Sequence, residues 1–172
     1  FRSSVEGENV AFVASPIAEY LSGDHGYDTI SVSNALHHLA GVGTILRDLQ
    51  SIMNDDGVLI IHEMYADDLT PAQETQRDVH GMIARLHRVQ GEYHRTAFTK
   101  DELRRFVDGA GLKTLHHFVA TNEDAPVEKG TDGFAGRVQG VLEQAYQDGA
   151  PGEVQAEVDD LMRRAVEIGV GR

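Results

Sequence analysis

Two short stretches of the chain set side chains that move protons next to residues that end a strand. The first is Ser33-Asn34-Ala35-Leu36-His37-His38, where two imidazoles follow a small polar turn. An imidazole titrates near neutral pH, so His38 can take or give a proton under ordinary conditions. The competing reading is a histidine that only satisfies the start of a helix. The second stretch is His62-Glu63-Met64-Tyr65. Glu63 can accept a proton or hold a cationic group there, against the plainer reading of a carboxylate at a strand end. Nine histidines without a cysteine also raise metal binding. His80, His87 and His94 recur at seven-residue intervals. On one continuous helix each interval is about 10 Å of rise, too far for two ligands of one ion, so the spacing predicts no metal centre. His116-His117 reads as an exposed pair on an outer strand.

A βαβ unit must position these groups. Thr29, Ile30 and Val32 favour an extended run over Tyr27 to Ser33, and Ser33-Asn34 ends it with side chains that bond their own backbone. Gly41-Val42-Gly43 reads as a helix start, and Ile45, Leu46, Leu49, Ile52 and Met53 recur at helical spacing behind it. Asp55-Asp56-Gly57 makes a turn before a second strand, Val58 to Ile61. A strand, a helix and a strand in so short a span force parallel pairing with a right-handed crossover. Ligands of open parallel sheets lie beyond the carboxyl ends of the strands, where both stretches fall.

Around this unit, Asn9 to Ala14 is a strand candidate ended by Ser15-Pro16, and Ile17 to Leu21 is a short helix. Thr70 caps a helix with Pro71 in its first turn, and Val79, Met82, Ile83, Leu86 and Val89 mark its apolar face as far as Gly91. Thr99 and Glu102 fit a capping box ahead of Leu103, Phe106, Val107 and Ala110, with Gly111 as the stop. Lys113 to Ala120 is a further strand, nearer an edge. After a polar loop, two helices close the chain as an antiparallel pair over 133–168. The first carries Phe134, Val138, Val141, Leu142 and Tyr146, and the second Val154, Val158, Leu161, Met162 and Val166. That pair suits a lid or a dimer surface, or simply packs on its own sheet.

A chain of 172 residues, 41% apolar and 25% charged, can build one domain with a full core. Its net charge of −13 repels phosphate backbones, which argues against nucleic acid as a partner. The lack of cysteine excludes disulfides, thiolate zinc sites and thiol nucleophiles. No apolar run spans a bilayer and no signal-peptide pattern is present, so no membrane partner is expected and the cytoplasm is the default.

Taken together, three stretches resemble the class I S-adenosylmethionine-dependent methyltransferases of the small-molecule type. Tyr27 to Leu39 looks like the family's fourth strand and the turn after it. Leu46-Arg47-Asp48-Leu49 through Met53 to Ile61 looks like its next helix, turn and fifth strand. His94 to Leu103 through Ala110-Gly111-Leu112 is similar to the helix before the sixth strand. The resemblance covers roughly residues 9 to 120. It implies an α/β fold: a partial Rossmann-like parallel sheet, strands three to six of the family, with the helix pair at the C-terminus. The family's glycine-rich turn and the acidic end of its second strand find no counterpart, so residues 1–172 read as a partial domain, with the sheet core at 9–120. An incomplete sheet leaves the Tyr27 to Ser33 strand with a bare apolar edge, open to a homodimer or strand exchange.

The resemblance also implies roles. S-adenosylmethionine would lie along Ser33, Asn34 and Ala35, whose small side chains admit close approach, with S-adenosylhomocysteine as product. Ser15 and Pro16 stand where relatives place an acidic residue on the adenine. His38 and Glu63 would be catalytic, with His37 turned inward or to solvent. Met64 and Tyr65 would wall the acceptor pocket, and His80 and His94 would reach it from a cap. The expected activity is methyl transfer to a small molecule. A non-catalytic remnant that binds a partner chain through its open edge is the alternative, and a nucleotide-binding oxidoreductase would need the same missing glycine turn.

Overall fold

The computed structural model describes residues 13–22, 26–120, 143 and 153–170. Helix α1 (Ile17–Tyr20) is a single turn and precedes strand β1 (Tyr27–Ser33). A 3-10 turn (Leu36–His38) leads to helix α2 (Val42–Ser51), which returns the chain to strand β2 (Met53–His62). Gly41 is the N-cap of α2 at φ 72°, so this glycine pair starts a helix as expected. The expected parallel βαβ unit is present: Thr29 pairs with Val58, and the ladder continues to Ser33 opposite His62.

The turn expected at Asp55-Asp56-Gly57 lies inside β2 as a break in register. Tyr27 faces Met53, but Thr29 already faces Val58. The looped-out segment is tied back by Asn54, which donates to the Asp28 carboxylate at 2.7 Å. Gly57 is needed at its end, because a Cβ there would sit 2.9 Å from the carbonyl oxygens of both Asn54 and Tyr27.

Ile30, Val32, Leu59 and Ile61 turn one face of the sheet onto α2. Leu36, Val42, Leu46, Leu49, Ile52, Phe98 and Ala110 are buried there, and helix α4 (Lys100–Gly109) adds Leu103, Phe106 and Val107. Full burial of Leu46 alone removes enough apolar surface to stabilise the fold by about 1.5–3 kcal/mol. Both halves of the Thr99–Glu102 capping box are formed, and Gly111 stops the helix at φ 75°.

Helix α3 (Pro71–Val89) starts at the Thr70 cap with Pro71 in its first turn. It does not join the sheet core. Val79, Met82 and Leu86 pack instead with Val158 and Leu161 of helix α5 (Glu153–Glu167), which forms a second apolar cluster. The last helix therefore docks on α3 and not on the sheet.

Two expectations need correction. Lys113 to Ala120 is not a strand. It runs without regular structure, with Leu115 64% and Phe118 81% exposed. The adjacent pairs His116-His117 and Phe118-Val119 interrupt the alternation that would bury one face, so neither face rewards pairing with β2. The described sheet consequently has two strands, where four were expected. Residues 9–12 of the first strand candidate lie outside the described residues, and Val13 and Ala14 are exposed and unpaired in any ladder. The helix expected around Phe134 to Tyr146 also lies outside them, apart from Glu143. Among the described residues β1 pairs only with β2, and no helix is long and apolar enough to cross a membrane.

Candidate active site

The carboxyl ends of β1 and β2 converge through Ser33 and His62, whose hydroxyl and Nδ1 lie 3.1 Å apart. Asn34 then takes φ 47°, a left-handed conformation that its short polar side chain tolerates, and its N–H donates to the His62 carbonyl at 2.8 Å. That turn aims the 3-10 segment back under the sheet. His37 is buried, and its Nδ1 lies 2.8 Å from Glu63 Oε1. Glu63 accepts a second bond from the Met64 N–H at 2.9 Å. Its side chain is 1% exposed, and its Oε2 has no hydrogen-bond partner among the described residues.

The third contribution comes from beyond α3. The helix ends at Val89, and Gly91 turns the chain at φ 87°, so the backbone doubles back along the last turns. Glu92 N–H donates to the His87 carbonyl, Arg88 donates to the His94 carbonyl, and Arg95 N–H donates to the His37 carbonyl. The reversal places His94 against the helix it has just left. Its Nε2 is 3.0 Å from His80 Nε2 and its Nδ1 is 2.8 Å from His87 Nδ1. Five imidazoles thus meet. The His38 ring lies 4.2 Å from that of His37 and 4.1 Å from that of His94, and the His37 and His80 rings are 4.9 Å apart.

The premise behind the sequence argument against a metal therefore fails: His80 and His94 are not on one continuous helix. His37, His80 and His94 offer ligand nitrogens that all lie within 4.8 Å of one another.

Crowding and burial disfavour the charged forms of His38, His80 and His94. Burial, followed by the charge of His37, lowers His80 to about 4. Burial and then His38 lower His94 to about 4, and His38 itself is lowered by burial and by His37. Burial would raise Glu63, but the His37 hydrogen bond and the Met64 N–H outweigh it and hold the carboxyl below its usual range. His38, His80 and His94 therefore stand as weakly basic nitrogen donors beside a buried carboxylate.

Of the residues singled out from the sequence, His38, His80 and His94 are brought together, and Glu63 reaches them through His37. Glu63 is too buried to meet an acceptor directly. Met64 continues from it, half-buried, while Tyr65 turns to a parallel bridge with Phe98 and carries the Lys100 ammonium 4.6 Å above its ring. Ser15 and Pro16 are exposed at the start of α1, where the Ser15 hydroxyl donates to the Pro16 carbonyl, and they make no hydrogen bond to the histidine group. Sequence reasoning missed His37 and His87 as members. The signal was Gly91: a helix that stops there cannot carry His94, and the chain after it is free to fold back.

A cleft of about 400 Å³ lies on another side of α3, between α3 and α5. Its arginines are engaged: Arg85 with Glu157, Arg164 and Arg77 with Asp78.

No curated protein and no solved structure matches the chain significantly. The profile of a methyltransferase domain family matches residues 5–117, a span that includes β1, α2, β2, α3, α4 and all five clustered histidines. With its parallel βαβ unit and its polar side chains gathered at the strand ends, the chain belongs to the class I methyltransferase domain family.

Proposed function

We propose that this domain transfers the methyl group of S-adenosylmethionine to a small-molecule acceptor. The observation that carries the reading is the turn at Ser33-Asn34-Ala35, at the carboxyl ends of parallel strands inside the matched span. Asn34 is exposed in a left-handed turn between two small side chains, an arrangement that would admit a flat, extended cofactor. The acceptor would lie against His38, Met64 and Tyr65, with His80 and His94 closing over it from the α3 side.

In this reaction the acceptor's lone pair attacks the sulfonium methyl in line. The new bond to carbon forms as the carbon–sulfur bond breaks, and neutral S-adenosylhomocysteine leaves. A protonated acceptor must lose its proton, and His38 would take it on a ring nitrogen. Its imidazole is neutral at pH 7 because burial and His37 disfavour the charged form. Glu63 acts at one remove, as a positioning residue that fixes the orientation of His37.

Calorimetric titration of S-adenosylhomocysteine into the chain tests this directly. Micromolar binding is expected, weakened at least tenfold by Ala35→Trp, which fills the approach to the turn, and unchanged by Phe118→Ser on the exposed C-terminal segment. Absence of binding heat, or equal affinity in Ala35→Trp, overturns the placement of the cofactor.

A further inference from the structure

We propose that His37, His80 and His94 form a three-histidine site for a divalent transition-metal ion of the zinc type, with Glu63 as the carboxylate behind His37. The inference stands on this geometry alone and holds whether or not S-adenosylmethionine is the methyl donor.

Three observations carry it. First, the ligand atoms are in place. His37 has Nδ1 engaged by Glu63, which leaves Nε2 as its free nitrogen, and the Nε2 atoms of His80 and His94 face each other at 3.0 Å. Nitrogens bound tetrahedrally to zinc at about 2.0–2.1 Å stand about 3.3 Å apart. The trio's ligand atoms all lie within 4.8 Å of one another, so rotation of side chains would have to draw the widest pair to that value.

Second, the supporting contact is present. Metal-bound histidines give their other ring N–H to a carboxylate or carbonyl, which fixes the tautomer and raises ligand basicity. His37 and Glu63 make that contact at 2.8 Å, with side chains 4% and 1% exposed.

Third, the charge is out of balance. A buried carboxylate with one oxygen lacking a partner among the described residues is costly. A cation held on the far nitrogen of His37 would compensate it. The same cation would also be met by the His80 and His94 Nε2 atoms, which stand 3.0 Å apart.

Three protein ligands leave a fourth position for water or an acceptor atom, the pattern of catalytic and not of structural zinc. Such an ion would lower the pKa of a hydroxyl or thiol bound to it, and so assist the proton loss assigned to His38.

The test uses the untagged full chain, stripped with a chelator and titrated with Zn²⁺ against a chromophoric competitor, with no methyl donor present. One equivalent is expected to bind at micromolar affinity or better. His80→Gln and His94→Gln should each weaken it at least tenfold, Glu63→Gln should weaken it 10–100-fold, and His116→Gln should leave it unchanged. X-ray absorption on the zinc-loaded wild-type chain should show three imidazole nitrogens at about 2.0–2.1 Å, a readout that needs no variant to fold. The proposal is overturned if the wild-type chain binds no stoichiometric Zn²⁺, if imidazole scattering is missing, or if a His80→Gln/His94→Gln chain keeps full affinity.

Discussion

At the scale of single residues, the pairing of His37 with Glu63 is the arrangement that the rest of the site depends on. A carboxylate with 1% of its side chain exposed keeps its charge only because an imidazole and a backbone N–H hold it. His37→Ala should therefore cost about 3–5 kcal/mol, since it strands a buried anion. The double change His37→Phe with Glu63→Leu removes both polar partners and should recover most of that loss. Urea denaturation of His37→Phe, Glu63→Leu and the double variant completes the cycle. Equal losses in His37→Phe and in the double variant would mean that the pair contributes by shape alone. The roles of the two neighbouring histidines divide as their exposure does. His38 keeps a solvent-facing ring, while His37 is committed to the interior. The sequence Leu36-His37-His38 carries that distinction weakly: a 3-10 turn rotates successive side chains by about 120°, so which histidine turns inward depends on the turn type.

At the scale of elements, the parts written in local chemistry were legible and the parts that depend on a distant partner were not. Thr70-Pro71 and Thr99 with Glu102 announce helix starts in the residues themselves, and both caps are formed. Thr99→Ala should cost about 1 kcal/mol by leaving the Glu102 N–H without its partner. The same box sets a pH dependence. The Thr99 backbone N–H, and after it Arg95, hold Glu102 below its ordinary value of 4.5. Its stabilisation is thus fully present above about pH 4.5 and is lost as the pH falls through the lower folded value. Glu102→Gln should lose that acid-sensitive part and flatten thermal stability over this range, as a calorimetric pH series would report.

The register break in β2 belongs to this scale too. Asp55-Asp56-Gly57 signals a turn, yet nothing local says that Met53 will pair with Tyr27 ahead of it. Gly57→Ala pushes a methyl group to 2.9 Å from two carbonyl oxygens that cannot both retreat. It should destabilise the chain by about 1–3 kcal/mol, against near-neutral behaviour for Gly109→Ala, where a Cβ meets nothing within 4 Å. The strand expected at Lys113 to Ala120 failed for the opposite reason. Its propensity was adequate, but no face of it could be buried.

On the scale of the whole molecule, the described residues hold two apolar clusters with the histidine group between their supporting elements. One cluster joins α2, α4 and one face of the sheet, and the other joins α3 to α5. α3 thus serves two neighbours: Val79, Met82 and Leu86 face α5, while His80 and His87 face the segment that returns past Gly91. None of this coupling is visible in the sequence, because both of α3's partners are set by the reversal at Gly91 and by a helix about seventy residues further on.

The division predicts how core substitutions combine. Met82→Ala and Leu161→Ala act inside one cluster, so their costs should deviate from additivity by about 0.5–3 kcal/mol. Leu46→Ala and Leu161→Ala act in different clusters and should add to within about 0.5 kcal/mol, each alone costing about 2–5 kcal/mol. Denaturant titrations of the singles and doubles decide the matter. Coincident transitions reported by probes in the two clusters would show that they unfold as one body. In that case α3 could not shift against the sheet while the sheet core stays folded. Separate transitions would instead leave α3 and α5 free to move as a unit, carrying His80 towards or away from His37 and so opening or closing the histidine site without disturbing β1, β2 and α2.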